Sequence, residues 1–394
     1  MQNLNRSKNS DRNYWIDHLR SFLTVLVVAH HSALAYTTFA YFDNKTYINS
    51  THPIVDSLRW VGMDVFTNFN DIFFMPLMFL ISGLFVYRGI ETKSRRKFFG
   101  DRFKRLGVPF IIAVTLIIPI AYIPSYYLIH HTFNVAFFIN DYLIHQQWPV
   151  GPPWFIWLLL LFNLFAIIIP SGFFTWVSNK VAQLVRNPAR FFLSAFIVLS
   201  LAFIPVSLWV GQYKWTGLGP FDFQVNRFLL YFVFFIFGVA LGSSDWENHL
   251  FVNNKFLNRS WLFWLILCLF SYLFVELFTY NAWDVVRAGR LGVNSAWLIF
   301  DLIFVASCIF SSIAFVSFFK QKVSKPNKLW SNLSSNAFGI YLIHYVFITW
   351  LQFALLNISL PVFIKFLIVF LVSLIASWAI TNFARRLRII NQII

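Results

Sequence analysis

Apolar runs of helix length recur from one end of the chain to the other, and nothing else in the sequence constrains the fold as strongly. Hydrocarbon offers no partner for backbone N–H and C=O groups, so a run of about 20 apolar residues is read as a helix that satisfies itself while crossing a bilayer. Ten such runs are expected, near residues 14–41, 66–88, 106–129, 153–170, 191–210, 227–242, 260–280, 296–319, 331–356 and 362–383. Only 12% of the 394 residues are charged, against about 25% in a soluble domain. The fold class that follows is an all-α, polytopic membrane protein with about ten transmembrane helices. No internal repeat or low-complexity tract divides it. A single ten-helix domain is expected over 14–383, between short tails at 1–13 and 384–394.

The formal net charge of +16 invites a nucleic-acid partner, but its distribution argues otherwise. Of the 31 Lys and Arg, 23 lie in the segments on one side of the expected spans and 5 on the other, with Arg20, Arg227 and Lys365 inside the spans. Short loops rich in Lys and Arg stay on the cytoplasmic side. Both termini are therefore expected in the cytoplasm, in a multi-pass cell-membrane protein whose basic excess needs no nucleic acid. The polar first 13 residues lead into a long span with no small-residue cleavage site, so no removable signal peptide is expected. Cys268 and Cys308 both lie in apolar runs, and neither a disulfide framework nor a metal site is indicated.

Residues 17–36 read DHLRSFLTVLVVAHHSALAY, with charge and imidazole where hydrocarbon is expected. Entering from the cytoplasm near Tyr14, the helix places Arg20 about 9 Å deep and His31 about 25 Å deep. They are eleven residues apart, so they share one face, while His30 points about 100° away. The second run travels inward, which sets Asp71 level with His31 and Ser82 near the depth of Arg20. The ninth run travels outward and carries His344 about 20 Å deep. Titratable groups in hydrocarbon are costly and face a protein interior or a watery cavity. An acidic group beside a histidine fixes its tautomer, and matched depth makes Asp71 a candidate for that role toward His31. The bland readings are a snorkelling topogenic Arg20, histidines bonded to neighbouring carbonyls, and a solvated Asp71. Arg20 and His31 on a single stripe favour a functional cavity.

Two loops add candidates. The inner loop RGIETKSRRKFFGDRFKRLGVP holds eight basic residues, which suit phosphates as well as they suit the charge bias, and Arg102 and Arg105 abut the next helix. On the outer side HQQWPVGPPWFIW sets His145, Trp148 and Trp154 around a proline corner. Tryptophan faces suit sugar rings, and they equally suit an interfacial belt.

At these residues the sequence resembles acyltransferase family 3. The likeness rests on IDHLR with Arg20 and His31 at x10 spacing, MPLMFLISG at 75–83, RFKRLGVP at 102–109, WFIWLLL at 154–160 and FGIYLIH at 338–344, in family order. It implies a ten-helix fold and transfer of an acyl group, acetyl or succinyl, from cytoplasmic acetyl-CoA or succinyl-CoA. The acceptor would be a hydroxyl of an envelope polysaccharide or glycolipid, and no metal is expected. The family arginine falls on Arg20, its histidine on His31 and its arginine pair on Arg102 and Arg105. Pro153 precedes the tryptophan motif where histidine-leucine is common in relatives. The expected site therefore comprises His31, Asp71 and His344 for chemistry, Arg20, Ser82, Arg102 and Arg105 for the donor, and Trp154 and His145 for the acceptor. A proton-coupled transporter or glycan exporter also needs buried titratable groups and is the competing reading. Paired broken helices in two related halves would mark it, and no such pairing stands out.

Overall fold

The computed structural model describes residues 13–244 and 260–387. The expected N-terminal tail, apart from Asn13, and most of the expected C-terminal tail lie outside the described residues.

Each expected run contains a helix. They are α1 (Tyr14–Leu34), α2 (Val61–Leu84), α4 (Arg95–His130), α6 (Trp154–Ile168) and α8 (Pro188–Val210). They continue with α9 (Phe228–Leu241), α10 (Trp261–Arg287), α11 (Val293–Lys322), α12 (Lys328–Leu355) and α13 (Val362–Ala384). Three short helices fill connections: α3 (Tyr87–Thr92), α5 (Val135–Asn140) and α7 (Ser171–Leu184). Among the described residues seven segments are long and apolar enough to cross a membrane alone, and eight if the bent pair α6–α7 counts as one. The shortfall from ten has a cause in each case. The polar stripe of α1 lowers its hydropathy. Chain direction turns by 100° between α6 and α7. The apolar helix Val225–Leu241 is short.

Proline shapes α4. Two π turns, Phe103–Gly107 and Ala113–Ile117, stand just before Pro109 and Pro119. A proline removes one N–H and its ring collides with the carbonyl four residues back, and a widened turn relieves both. The helix continues instead of breaking.

Small residues set a close crossing between α2 and α9. A Cβ on Gly83 would meet the Phe235 carbonyl, one on Gly238 the Leu80 carbonyl, and one on Gly242 the Leu84 carbonyl. Between membrane helices attraction comes from close packing, so glycines that let backbones touch are the interface. Nearby, Phe79 stacks on Tyr231 at 5.1 Å. On the other flank α12 packs on α1, α13 and the outer part of α4.

The connection 35–60, which the charge bias places outside, is folded against the bundle. His52, Asp56, Thr37 and Tyr47 within it are all buried. Asp56 pairs with Lys365 at 2.6 Å, both fully enclosed. Ser125 donates to the Pro53 carbonyl, and the Ile48 N–H donates to Gln146 of the proline corner.

Gly238→Ala is expected to cost at least about 3 kcal/mol of stability, the upper range for overpacking, because its obstacle is rigid backbone. Gly172→Ala, which meets nothing within 4 Å, is expected to leave stability unchanged or slightly raised. Thermal unfolding of the two purified variants measures both.

Candidate active site

α1 and α12 meet at their histidines. From Tyr14 to His31 and from Lys328 to His344 are similar numbers of helical residues, which brings both rings to the same height about 25 Å from the inner ends. His344 Nε2 lies 3.4 Å from His31 Nδ1. His344 is fully buried and His31 half-buried.

Backbone carbonyls fix where the protons sit. His344 Nδ1 is 2.7 Å from the Tyr341 carbonyl, and His31 Nδ1 is 2.9 Å from the Val27 carbonyl. A carbonyl only accepts, so each Nδ1 carries hydrogen and each neutral ring keeps its lone pair on Nε2. The His344 lone pair faces the His31 N–H. The His31 Nε2 lone pair has no hydrogen-bond partner among the described residues. That nitrogen is the available base of the pair.

Two residues absent from the sequence-based set steady this arrangement. Gln352, one exposed per cent of its surface remaining, donates to the carbonyls of His31 and Ser32 at 3.3 Å each. Its amide oxygen takes the His52 Nε2 hydrogen at 2.9 Å. The Tyr345 ring stands edge-on to both His31 and His52. Burial holds the His52 pKa down to about 4, so this ring is neutral. Gln352 carries the one sequence signal, a polar side chain in an apolar span; His52 sits in a connection and carries none.

Asp71 is the correction. It does not reach His31; it pairs with Arg227 at 2.5 Å, while the same guanidinium donates to the Asp71 carbonyl at 3.0 Å. The face of α2 that carries Asp71 turns it to Arg227. A buried arginine needed a counter-ion more than the histidine did.

Arg20 lies on the expected stripe, donating to Ser334 Oγ at 3.0 Å and pairing with Asp17 at 3.3 Å. Two-fifths of its side chain stays accessible. Between Arg20 and His31 the same stripe holds Thr24 and Val27, both buried. Ser82 is half-buried on α2 beside the Gly83 crossing. Arg102 is drawn inward, donating to the Phe85 carbonyl at 3.2 Å with its guanidinium 5.0 Å over Phe98. Arg105 on the first π turn is exposed.

At the outer corner Trp154 stacks on Tyr231 at 5.7 Å and meets Trp215 edge-on. His145 is two-thirds exposed, 3.8 Å from Asp141. The corner is tied to the histidine helix, because Tyr341 donates its hydroxyl hydrogen to the Pro152 carbonyl and the Phe155 ring packs on Tyr341. Among the described residues no three His, Cys, Asp or Glu side chains are grouped to hold a metal ion.

A helical membrane bundle with an internal histidine pair above an arginine defines a polytopic protein with a polar centre between its helices. The chain belongs to the family described as "Acyltransferase domain" (Acyl_transf_3), which it matches over residues 13–382. It is similar to Glucans biosynthesis protein C of Salmonella schwarzengrund (strain CVM19633), Salmonella agona (strain SL483) and Salmonella paratyphi A (strain ATCC 9150 / SARB42). Each is 25% identical over 248 residues, 58% of this chain and 57% of the relative. The chain thus spans little more than half the length of those relatives. No solved structure matches it.

His52 is neutral when folded and protonates near 6.5 when unfolded. The unfolded chain therefore binds the extra proton between about pH 4 and 6.5, and stability falls as pH drops through that window. His52→Gln is expected to reduce the slope by up to one proton, about 1.4 kcal/mol per pH unit. Unfolding midpoints of both proteins between pH 4.5 and 7.5 measure it.

Proposed function

We propose that this chain is a cytoplasmic-membrane O-acyltransferase that moves an acetyl or succinyl group from acyl-CoA to a hydroxyl of an envelope glycan or glycolipid. The observation that carries the reading is the His31–His344 pair, in which the His31 Nε2 lone pair has no partner among the described residues. Membership of the acyltransferase family supports acyl transfer. The name of the similar proteins, Glucans biosynthesis protein C, supports a glycan acceptor.

In this reading His31 Nε2 takes the hydrogen of the acceptor hydroxyl as its oxygen bonds to the thioester carbonyl carbon. The carbon–sulfur bond then breaks, the acyl ester remains on the acceptor, and the departing thiolate takes the proton back from the imidazolium. While positive, the His31 ring gives its Nδ1 hydrogen to the Val27 carbonyl and the His344 lone pair. Those acceptors stabilise the charge where it develops. His344 thus positions and stabilises the base. Asp71 does not orient it, since Arg227 holds that carboxylate.

Arg20 and the exposed Arg105 supply the cations for the donor phosphates. Arg102, held on the Phe85 carbonyl, shapes the same mouth in this reading, and Ser82 is assigned to it from α2. Because Thr24 and Val27 are buried between Arg20 and His31, the thioester reaches His31 by displacing the packing over those two residues. Trp154 and His145 lie at the outer corner, on the acceptor side.

The test is acyl transfer by purified protein from acetyl-CoA and succinyl-CoA onto envelope glycan, with acyl-CoA binding measured separately. His31→Gln is expected to lower turnover about 10²–10⁴-fold, the contribution of a positioned base, at unchanged acyl-CoA affinity. His344→Asn is expected to lower turnover less. Arg20→Ala is expected to weaken acyl-CoA binding, by about tenfold for one charge-assisted contact of about 1.5 kcal/mol. Full transfer by His31→Gln overturns the base assignment. A wild-type chain that neither binds nor consumes acyl-CoA overturns the enzyme reading in favour of a transporter.

A further inference from the structure

The bundle holds a cavity of about 620 Å³ away from the histidines, within the roughly 300–1,000 Å³ range of small-molecule sites. Its floor is the inner half of α2, from Leu77 to Leu84, and its walls are α8, α9 and α11. α7 roofs it after the 100° bend, with Lys180 at the edge. Its walls run from the inner ends of the helices, at Leu84 of α2, Leu241 of α9, Phe191 of α8 and Val316 of α11, to their middles at Phe232, Val198 and Ile309.

The cavity is separate from the proposed catalytic stripe. α1 contributes only Trp15 to it. At about 100° per residue Trp15 points roughly 160° away from His31. The cavity therefore lies behind α1 as seen from His31 and Arg20.

Apart from Ser194, Ser312 and Lys180 at the edge, every side chain that lines it is apolar. Such a lining offers water too few polar partners to hold it, so the space suits an apolar group. An empty space of this size forfeits the dispersion contacts of everything that lines it. The cavity is a groove open to its surroundings rather than a sealed chamber, and around a membrane bundle those surroundings are lipid chains. Lys180 lies at its mouth, and the segment 171–190 that carries it also holds Arg186 and Arg190, all three exposed, and no acidic residue. The exposed Phe173 and Trp176 rings lie beside Lys180 on the same short helix, the pairing of apolar and basic side chains that seats a helix at an anionic interface. Ser178 of α7 bonds Ser244 at 2.6 Å and fixes this roof to the end of α9.

The geometry points to a binding site for one anionic glycerophospholipid of the inner leaflet, with an acyl chain in the groove and its phosphate on Lys180. The occupant follows from charge and depth together. An apolar slot toward the inner end of the bundle takes a hydrocarbon chain, and Lys180 at its edge, in a segment whose charged residues are all basic, takes a phosphodiester.

The full-length protein, purified in mild detergent, is incubated with equal amounts of phosphatidylglycerol and phosphatidylcholine and analysed by native mass spectrometry. One phosphatidylglycerol is expected to stay bound through detergent stripping. Ala195→Trp fills the groove from α8 and is expected to cut retention at least tenfold. Val198→Trp, at a more exposed wall position, repeats the test should Ala195→Trp fold poorly. Lys180→Glu is expected to keep a bound lipid while losing the preference for phosphatidylglycerol. Equal retention by wild type and by either correctly folded tryptophan variant means adventitious surface lipid only and overturns the site. An unchanged phosphatidylglycerol preference in Lys180→Glu overturns the headgroup assignment.

Discussion

A polar group inside hydrocarbon must find a partner within the protein, and the arrangement of this bundle follows from how each one does so. The cost of an unpaired ion or a free donor in that medium is several kcal/mol, comparable to a large share of a domain's net stability. Charged and titratable residues within the spans therefore decide which helix faces meet. Lys365 of α13 closes on Asp56, Arg227 at the start of α9 closes on Asp71 of α2, and His344 of α12 closes on His31 of α1. Each contact joins segments far apart in sequence. Apolar packing holds the helices together, while these pairs specify register.

The histidine pair differs from the two ion pairs in what it leaves over. Asp56 and Lys365 neutralise each other in a closed space, and Arg227 makes two contacts to Asp71. At the α1–α12 seam the hydrogens go to carbonyls, and one nitrogen lone pair has no partner among the described residues. The open acceptor is what the proposed proton transfer uses. The outer connection 35–60 supports the seam through His52 and Gln352, so a segment with no helix-length run contributes to the centre of the bundle.

The glycine crossing of α2 and α9 and the histidine seam show two ways of meeting in a membrane. Gly83, Gly238 and Gly242 bring backbones together by removing side chains. The seam instead brings helices together through the hydrogen bonds that their polar side chains need. α2 takes part in the first and stands beside the second, since Phe74 packs on His30 at 5.0 Å.

The sequence by itself determined where the helices lie, because apolar run length and hydrocarbon thickness are one-dimensional quantities. It also determined depth, since a fixed rise per residue converts position into height. This placed Arg20, His31, His344 and Asp71 at heights compatible with the contacts they make. Which faces meet is an angular property of several helices at once, and no single run encodes it. Only the tertiary structure could give His344 to His31 and Asp71 to Arg227, bend the chain by 100° after α6, and turn a plain outer connection into a buried support. The physical reason is that partners in hydrocarbon are chosen by competition among all buried polar groups, and that competition is resolved only when the whole bundle is assembled.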